Sequence, residues 1–176
     1  MQTIGTGGAL RFPFPRRLQK ASHRPHRDFA FLQRFCTPRT VFMEVGAAAC
    51  DLALHAAGYV ERVYALDVWG RLLESVLVPC NLRLVLCDGV HLPLPEGSVD
   101  LAWSGRFLEQ LVPQEQLEHL KSARRALVQG GVYFSAVEGP FLRAGFSAVH
   151  CYAGRVRIPL AAAGYFPREK LRYAAR

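Results

Sequence analysis

One stretch in the first half of the chain limits the possible folds more than any other. The apolar run 41–45 leads into the small residues 46–49, and a short apolar segment, 50–57, follows. A second apolar run, 60–66, then ends in Asp67. This order of strand, tight turn, helix and strand with an acid at its tip is half of a nucleotide-binding βαβ unit.

The turn and the tip of the second strand have the chemistry that a nucleotide-like ligand requires. Gly and Ala let a ligand approach the backbone closely, because no large side chain stands in the way. The helix that begins there directs its free N–H groups and the positive end of its dipole towards the ligand. The carboxylate of Asp67 can accept both hydroxyls of a ribose. The alternative interpretations are a buried βαβ crossover that binds nothing and, for Asp67, a helix N-cap.

The rest of the chain alternates between helix-like and strand-like segments. The predicted segments are helix 26–36, the unit above, helix 69–77, strand 82–87, strand 99–104, helix 113–127 closed by Gly130-Gly131, strand 132–137, a hairpin of 146–152 and 156–160, and a frayed basic tail, 167–176. This alternation predicts an α/β fold. We expect a Rossmann-like, doubly wound, mostly parallel sheet with an antiparallel edge hairpin, in three layers α/β/α.

The charge of the chain is concentrated at its start. Residues 1–40 hold eight Lys or Arg and one acid, whereas residues 41–176 hold fourteen Lys or Arg and thirteen acids. The sequence therefore predicts a basic, flexible arm, 1–25, and a single domain, 26–176. A solvated tail is the favoured interpretation of the arm. Contact with phosphate on a nucleic acid, or a transit peptide, are the alternatives.

Composition also limits the location and the kind of site. The sequence has no apolar run long enough to cross a bilayer and no signal-peptide pattern, which predicts a cytoplasmic protein without a membrane span. The five cysteines are odd in number and form no CxxC pair. We therefore expect neither a disulfide framework nor a metal site.

Three predicted strand ends carry acids or small residues. They are Glu44 to Ala48, Asp67, and Asp88-Gly89. In an open α/β sheet these ends line one edge, where ligands bind at the switch in strand order. Together they suit a ligand with an amino-acid part, a ribose and a flat base.

At this point the chain resembles the class I S-adenosylmethionine-dependent methyltransferases, of the small type-11 kind. The resemblance covers 29–152. MEVGAAAC is similar to the family's first motif, VYALDV to its ribose-binding strand end, LCDGVHLPLPEGSVDLAWS to its adenine-binding segment and fourth strand, and FLEQLVPQEQLEHLKSARRALVQGGVYFSAV to the helix and strand that follow. The order and spacing of these motifs carry the resemblance.

The resemblance implies that S-adenosylmethionine is the cofactor and assigns residues to its methionine half. Gly46, Ala47 and Ala48 pass under the methionine part. Glu44 orients the turn or the cofactor's amino group. Ser104 lines the floor near the methyl group.

The resemblance also assigns residues to the adenosine half. Asp67 holds the ribose hydroxyls, and Val68 lies beside the adenine. Asp88 accepts a hydrogen bond from the adenine amino group. The backbone N–H of Gly89 or Val90 meets a ring nitrogen of the base.

Two departures from the family pattern stand out. The Gly-x-Gly-x-Gly motif is here Gly46-Ala47-Ala48-Ala49-Cys50, so Ala48 adds a methyl group where the backbone and the cofactor meet. Only 139–145 separates the fifth strand from the sixth, where a typical member has a full helix. Either that helix is reduced to one turn or the sixth strand begins elsewhere. A missing helix leaves a sheet flank that a second copy of the chain could cover.

The resemblance implies methyl transfer, and the near-neutral charge of 41–176 favours a small-molecule or saccharide-like acceptor. The alternatives are an RNA or protein methyltransferase that uses the basic arm, and a non-catalytic module of the same fold. A nicotinamide-dependent oxidoreductase fits less well, since the turn lacks Gly-x-Gly-x-x-Gly. The sulfonium methyl group is already activated, so the catalytic residue stays unknown. His91, Glu109 and Tyr152 are weak candidates that are better read as bystanders.

Overall fold

The structure is a computed structural model in which residues 26–68, 78–165 and 170–176 are described. The predicted basic arm, 1–25, and the predicted helix 69–77 lie outside the described residues, as does the first part of the predicted tail. The boundary between an arm and a single domain therefore stays a prediction.

Helices and strands alternate along the described chain. The helices are α1 (Arg27–Leu32), α2 (Asp51–Ala56) and α3 (Pro113–Ala126). The strands are β1 (Val41–Val45), β2 (Arg62–Asp67), β3 (Leu82–Leu86), β4 (Val99–Trp103), β5 (Leu127–Ser135), β6 (Val149–Ala153), β7 (Val156–Ile158) and β8 (Leu171–Ala175). Short 3₁₀ turns cover Gln33–Phe35, Phe107–Gln110 and Leu160–Tyr165.

Strands β1 to β5 form the parallel part of one sheet. The strand order is β3-β2-β1-β4-β5-β8-β6-β7, and the pairings from β3 through β5 are all parallel. Strands β1 and β2 are buried almost throughout, because both faces of the sheet are covered, and they therefore read as continuous apolar runs. The order reverses between β1 and β4, which is the switch point at which open α/β sheets bind ligands. The predicted Rossmann-like α/β fold is confirmed.

Apolar clusters cover both faces of the sheet and make the fold three-layered. On one face, α3 and the segments after β3 and β5 contribute to a cluster that includes Met43, Leu66, Leu94, Leu120, Tyr133 and Phe141. On the other face, α1 and α2 contribute to a cluster that includes Phe29, Leu32, Phe42, Leu52, Ala65 and Phe134. Each helix therefore buries its apolar stripe against the sheet.

The prediction for the C-terminal tail is wrong. Leu171–Ala175 is not frayed but forms β8, which pairs antiparallel with β5 and with β6. The hairpin of β6 and β7 lies antiparallel at the sheet edge, as predicted, but it joins the parallel strands through β8. The sequence pattern does not indicate this strand, because the basic Arg172 interrupts it between the buried Leu171 and Tyr173. In the fold, Arg172 forms an ion pair with Asp28.

The segment between β5 and β6 takes the place of a full helix. Residues 141–145 form a turn, and β6 begins at Val149, slightly later than predicted. Phe141 and Phe146 are buried and pack against the fully buried Tyr133. The turn therefore covers this part of the sheet flank by itself, and binding of a second copy there stays a prediction.

Helix α3 ends, and β5 begins, earlier than the sequence predicts. The helix stops at Ala126, and Leu127 already has an extended backbone. The Gly130-Gly131 pair lies inside β5 rather than at the helix end. The pairing of β5 with β4 shifts register between Val99 and Leu101, so the glycines mark an irregularity in the strand.

Candidate functional site

The carboxyl ends of the first four strands meet at the switch point. Strands β1 and β2 pair in parallel, and Asp67 at the end of β2 is paired with Leu86 at the end of β3. On the other side of β1, Glu44 is paired with Trp103, the last residue of β4, and Ser104 follows directly. The structure thus brings the four predicted binding segments to one edge of the sheet.

The turn after β1, residues 46–50, has a backbone conformation typical of glycine, although two of the three glycine positions of the family motif hold other residues. The N–H groups of Gly46 and Ala47 donate to the Leu66 carbonyl at 2.9 and 3.2 Å. Ala48 and Cys50, at the second and third glycine positions of the motif, have φ values of +43° and +58°. For residues with a Cβ this left-handed conformation costs about 1–2 kcal/mol each. We call this segment the glycine turn.

Asp67 supports the glycine turn directly. Its Oδ2 accepts a hydrogen bond from the Ala48 N–H at 2.6 Å. The side chain is buried, with 8% of its surface exposed. The acid predicted to hold the ribose therefore also fixes the backbone that was predicted to pass under the methionine part.

Glu44 is a buried acid with unused hydrogen-bonding capacity. Its carboxyl group accepts from the Ala53 N–H in α2, whereas Oε2 has no hydrogen-bond partner among the described residues. Burial raises the pKa of Glu44 to about 8, with a smaller contribution from the negative charges of Asp28, Asp51 and Asp67. At neutral pH the group is therefore mostly protonated, and a cation placed beside it would draw the proton off.

The loop after β3, residues 88–91, satisfies its own acid, and we call it the Asp88 loop. Oδ1 of Asp88 accepts from the N–H groups of Val90 and His91 at 2.8 and 2.6 Å. Oδ2 accepts from Nδ1 of His91 at 2.7 Å. The hydrogen bond from the His91 side chain is the main cause of the lowered pKa of Asp88. Of the groups predicted to meet adenine, the Asp88 carboxylate and the Val90 N–H, which was the alternative to the Gly89 N–H, are thus engaged within the loop.

His119 was not predicted as part of the site, yet it supports the Asp88 loop from below. It is fully buried on α3, with Nδ1 2.7 Å from the Gly89 carbonyl and Nε2 2.8 Å from the Tyr133 hydroxyl. A carbonyl can only accept, so Nδ1 carries the proton and Nε2 accepts from Tyr133. Burial lowers the pKa of His119 to about 4, which keeps the ring neutral.

The hydrogen bonds of His119 connect the Asp88 loop to Tyr133 in β5. The buried Oγ of Ser104, at the end of β4, has no hydrogen-bond partner among the described residues. The sequence signal was a histidine on the buried face of α3, beside Leu120 and one turn before Ala123.

Phe107 is the second residue that the sequence analysis missed. It opens the 3₁₀ turn after β4, and its ring lies between Gly46 of the glycine turn and Gly89 of the Asp88 loop. It is buried, with 8% of its surface exposed. The sequence shows only an aromatic residue shortly after a strand, which says nothing about which surface it contacts.

Among the remaining candidates, His91, Glu109 and Val68 are exposed and Tyr152 is partly buried. His91 is largely exposed and pairs with Asp88, and Glu109 forms two hydrogen bonds with Arg106 at 2.9 and 2.7 Å. The Tyr152 ring packs against Phe31 on the other face of the sheet. Val68, predicted to lie beside the adenine, is exposed at the end of β2.

Among 26–68, 78–165 and 170–176, no three His, Cys, Asp or Glu side chains are grouped so that they could hold a metal ion. In the same ranges no helix has both the length and the apolar character needed to cross a bilayer.

A parallel sheet with a glycine turn, buried acids and a switch point at one edge defines a Rossmann-like, nucleotide-binding α/β protein. The family is narrower than that class. A model of the methyltransferase domain matches residues 43–135, which is more than half of the chain, and the chain belongs to this family. S-adenosylmethionine is accordingly its cofactor.

Solved structures support the fold at low sequence identity. A methyltransferase described as putative, from Haloferax volcanii and solved with its Trm112 activator, is 16% identical with a TM-score of 0.59 over 80% of this chain and 83% of its own. The YcgJ protein of Bacillus subtilis is 19% identical with a TM-score of 0.53, covering 62% of this chain and 48% of its own. A Haemonchus contortus phosphoethanolamine N-methyltransferase, solved with phosphoethanolamine and S-adenosylhomocysteine, is 20% identical with a TM-score of 0.52, covering 62% and 25%. None of the curated proteins matches the chain.

The residues at the switch point fit the chemistry of S-adenosylmethionine. The unpartnered Oε2 of Glu44 suits the ammonium group of the methionine part, because a buried acid gains most from a cation. Asp67 lies at the strand tip where acids accept ribose hydroxyls. Gly46 and Gly89 form walls without side chains. The space between these two walls, however, is filled by Phe107.

Proposed function

We propose that the chain transfers the methyl group of S-adenosylmethionine to a small-molecule or saccharide-like acceptor. The observation that carries this proposal is the pair of buried acids, Glu44 and Asp67, on either side of the glycine turn. One has an oxygen without a partner among the described residues, and the other fixes the turn. This arrangement suits a ligand with an ammonium group at one end and ribose hydroxyls next to it.

The chain's own residues have to bind, orient and exclude water. Bound S-adenosylmethionine supplies a methyl group on a sulfonium, which is already activated for displacement. Glu44 would hold the amino group, Asp67 the ribose, and the Asp88 loop the adenine. Ser104, whose buried Oγ has no partner among the described residues, would line the floor beneath the methyl group. The main contribution of the protein is then positioning of the two reactants.

The near-neutral charge of 41–176 favours a small acceptor over a polyanion, since nucleic-acid binding relies on many basic contacts. Among the related structures, the Haemonchus protein was solved with the small acceptor phosphoethanolamine. The second candidate is an RNA or protein methyltransferase that holds its acceptor with residues 1–25, which contain five Lys or Arg and no acid. The complex of the Haloferax protein with an activator also makes a protein partner worth testing.

The cofactor site is tested by calorimetry with S-adenosylmethionine and its demethylated product. We expect wild type to bind both, and Asp67→Asn to bind neither measurably, because the ribose loses its charged acceptor. Asp100→Asn is the matched control: the Asp100 carboxylate also accepts a main-chain N–H, from Val41 at 2.7 Å, but at the other end of β1. Equal loss in both variants would indicate general damage to the fold rather than a ribose site.

The acceptor class is tested by supplying labelled cofactor with either a small-metabolite fraction or total RNA and protein. The proposal predicts label in small molecules and no effect of removing residues 1–25. Label in RNA or protein that disappears with this truncation, and that falls steeply with salt, would favour the second candidate. Cofactor binding without label in any fraction would favour a non-catalytic module.

A further inference from the structure

The ring of Phe107 bridges the two glycine walls of the cleft. A Cβ placed on Gly46 would lie 2.8 Å from Cδ2 of Phe107, and a Cβ placed on Gly89 would lie 2.4 Å from Cζ. Opposite ends of one ring therefore touch opposite walls. Both glycines have positive φ, +73° and +78°, so conformation and space each exclude a side chain there.

The space between Gly46 and Gly89 is one phenyl ring long. It cannot hold the Phe107 ring and a ligand at the same time. Non-bonded carbon atoms keep about 3.5–4.0 Å between their centres. A carbon atom added to either wall would already lie closer to the ring than this, and the ring also packs on His119, with ring centroids 5.6 Å apart. A ligand that runs from the glycine turn to the Asp88 loop can therefore enter only after the ring has left.

Short tethers on both sides hold the ring in place. The Phe107 N–H donates to the Ser104 carbonyl at 2.8 Å. The Gly105 carbonyl accepts from the Ala136 N–H at 2.8 Å, and the next residue, Leu108, is fully buried. With Gly105 and Leu108 fixed, the part that can move is Arg106 and the Phe107 side chain. A rotation of the ring, not a rearrangement of the fold, would open the cleft.

We propose that Phe107 closes the cofactor cleft of the free chain, so that S-adenosylmethionine binds only to the conformer with the ring displaced, and Phe107 sets the cofactor affinity. This inference rests on the proposed function, because it takes the cleft between Gly46 and Gly89 as the cofactor site. The apparent Kd then equals the intrinsic Kd divided by the fraction of open conformer. A burial of Phe107 that favours the closed state by about tenfold weakens binding by the same factor.

The experiment compares S-adenosylmethionine binding by wild type, Phe107→Ala and Phe107→Leu, using calorimetry and stopped-flow fluorescence. The control is Phe146→Ala, which removes another buried ring of the same apolar cluster, packed on Tyr133 and Phe141, away from both glycines. We expect Phe107→Ala to tighten binding by about tenfold or more and to speed association. Phe107→Leu should lie between, and Phe146→Ala should leave the affinity unchanged.

Thermal unfolding with and without cofactor gives a second readout for the same variants. Phe107→Ala should unfold at a lower temperature than wild type without cofactor, because it loses a buried ring. With saturating S-adenosylmethionine this difference should shrink, since the ring is displaced in the bound state of wild type. A difference that widens on binding would mean that the ring contacts the cofactor, which overturns the closure.

The failures of the two proposals can be told apart. Wild type that binds S-adenosylmethionine as tightly as Phe107→Ala, or more tightly, overturns the closure and leaves the cofactor site intact. Absence of binding in wild type and in every folded variant overturns the proposed function and the closure with it. Absence of binding in wild type together with binding in Phe107→Ala is the strongest result in favour of both.

Discussion

The glycine turn and the Asp88 loop face each other across the cleft, yet they satisfy their polar groups in opposite ways. Next to the glycine turn, Glu44 keeps an oxygen without a partner among the described residues, and Ala48 and Cys50 hold a left-handed backbone. In the Asp88 loop, both oxygens of Asp88 accept hydrogen bonds within the loop. Below it, both nitrogens of His119 are bonded.

A ligand could therefore satisfy a polar group beside the glycine turn, whereas the protein itself already satisfies the polar groups of Asp88 in the Asp88 loop. A buried acid without a full set of partners costs free energy in the free chain, and a cationic ligand would recover that free energy on binding. The Asp88 loop is already formed, so it can offer shape without rearranging. We infer that binding specificity for a charged group lies in the glycine turn and that the Asp88 loop provides a fixed surface.

Substitution of Glu44 should change the stability of the chain most, and the change should depend on pH. Its pKa is raised in the folded chain to about 8 from an ordinary 4.5, so the folded state holds the proton more tightly than the unfolded state. The stability that this supplies is complete below pH 4.5 and is lost as the pH rises to about 8. We expect Glu44→Gln, which cannot ionise, to be more stable than wild type at pH 8, by up to about 4 kcal/mol.

Urea unfolding of wild type and Glu44→Gln at pH 5 and pH 8 measures this effect. The two free energies of unfolding should differ by less than about 1 kcal/mol at pH 5 and by about 4 kcal/mol at pH 8. Glu96→Gln, at an exposed position in the loop before β4, is the control and should change little at either pH. The same variant that gains stability should bind S-adenosylmethionine more weakly, because the ammonium group loses its carboxylate. A variant that gains stability and also keeps full affinity would remove Glu44 from the site.

A second change in stability is expected from substitution of His119, which supports the Asp88 loop. In His119→Ala the Gly89 carbonyl loses its donor and the Tyr133 hydroxyl loses its acceptor, and a cavity is left in the core. We expect a loss of about 3 kcal/mol in the free energy of unfolding. His91→Ala, which removes an exposed partner of Asp88, should cost less than about 1 kcal/mol.

The pH dependence of His119 has the opposite sign to that of Glu44. Its pKa is lowered in the folded chain to about 4 from 6.5, so its stability is complete above pH 6.5 and is lost as the pH falls towards 4. Because Glu44 masks this loss between pH 4.5 and 6.5, the measurement belongs in the Glu44→Gln background. There we expect acid to destabilise the chain by about 3 kcal/mol, and His119→Ala to remove most of that slope. An unchanged slope would mean that another group titrates.

The first half of the fold could be predicted from the sequence because its signals are local. Strands β1, β2 and β4 are mostly buried apolar runs, and an acid or a glycine ends or closely follows each strand from β1 to β4, so these strands and α3 follow from pattern alone. Strand β8 could not be predicted in this way. Its placement between β5 and β6 depends on partners far away in the chain, and Arg172, its second residue, forms an ion pair with the distant Asp28.

The candidate site likewise contains residues that the sequence could reveal and residues that it could not. Glu44, Asp67 and Asp88 could be found because an acid at a strand end is visible in the sequence. His119 and Phe107 could not, because their roles depend on which surface they contact after folding. The sequence Asp88-Gly89 predicts a tight turn. It does not predict that both carboxylate oxygens of Asp88 accept hydrogen bonds within the loop.

A smaller change in stability is expected at Ala48 in the glycine turn, where a single methyl group can be removed. Ala48 is exposed and has a φ of +43°, so Ala48→Gly relieves the left-handed strain while adding freedom to the unfolded chain. We expect a net gain of about 0.5 kcal/mol in the free energy of unfolding. Ala49→Gly is the matched control, since this exposed neighbour does not have a positive φ and should lose about 0.5 kcal/mol.

A gain of stability in Ala48→Gly together with a loss in Ala49→Gly would show that Ala48 holds a backbone conformation that favours glycine. If the same Ala48→Gly substitution also strengthens cofactor binding, the extra methyl group and the Phe107 ring act as separate obstacles, and their effects on Kd should add in the double variant with Phe107→Ala. If both alanine variants lose stability, the positive φ of Ala48 carries no strain. The departure from the glycine motif would then not weaken the fold.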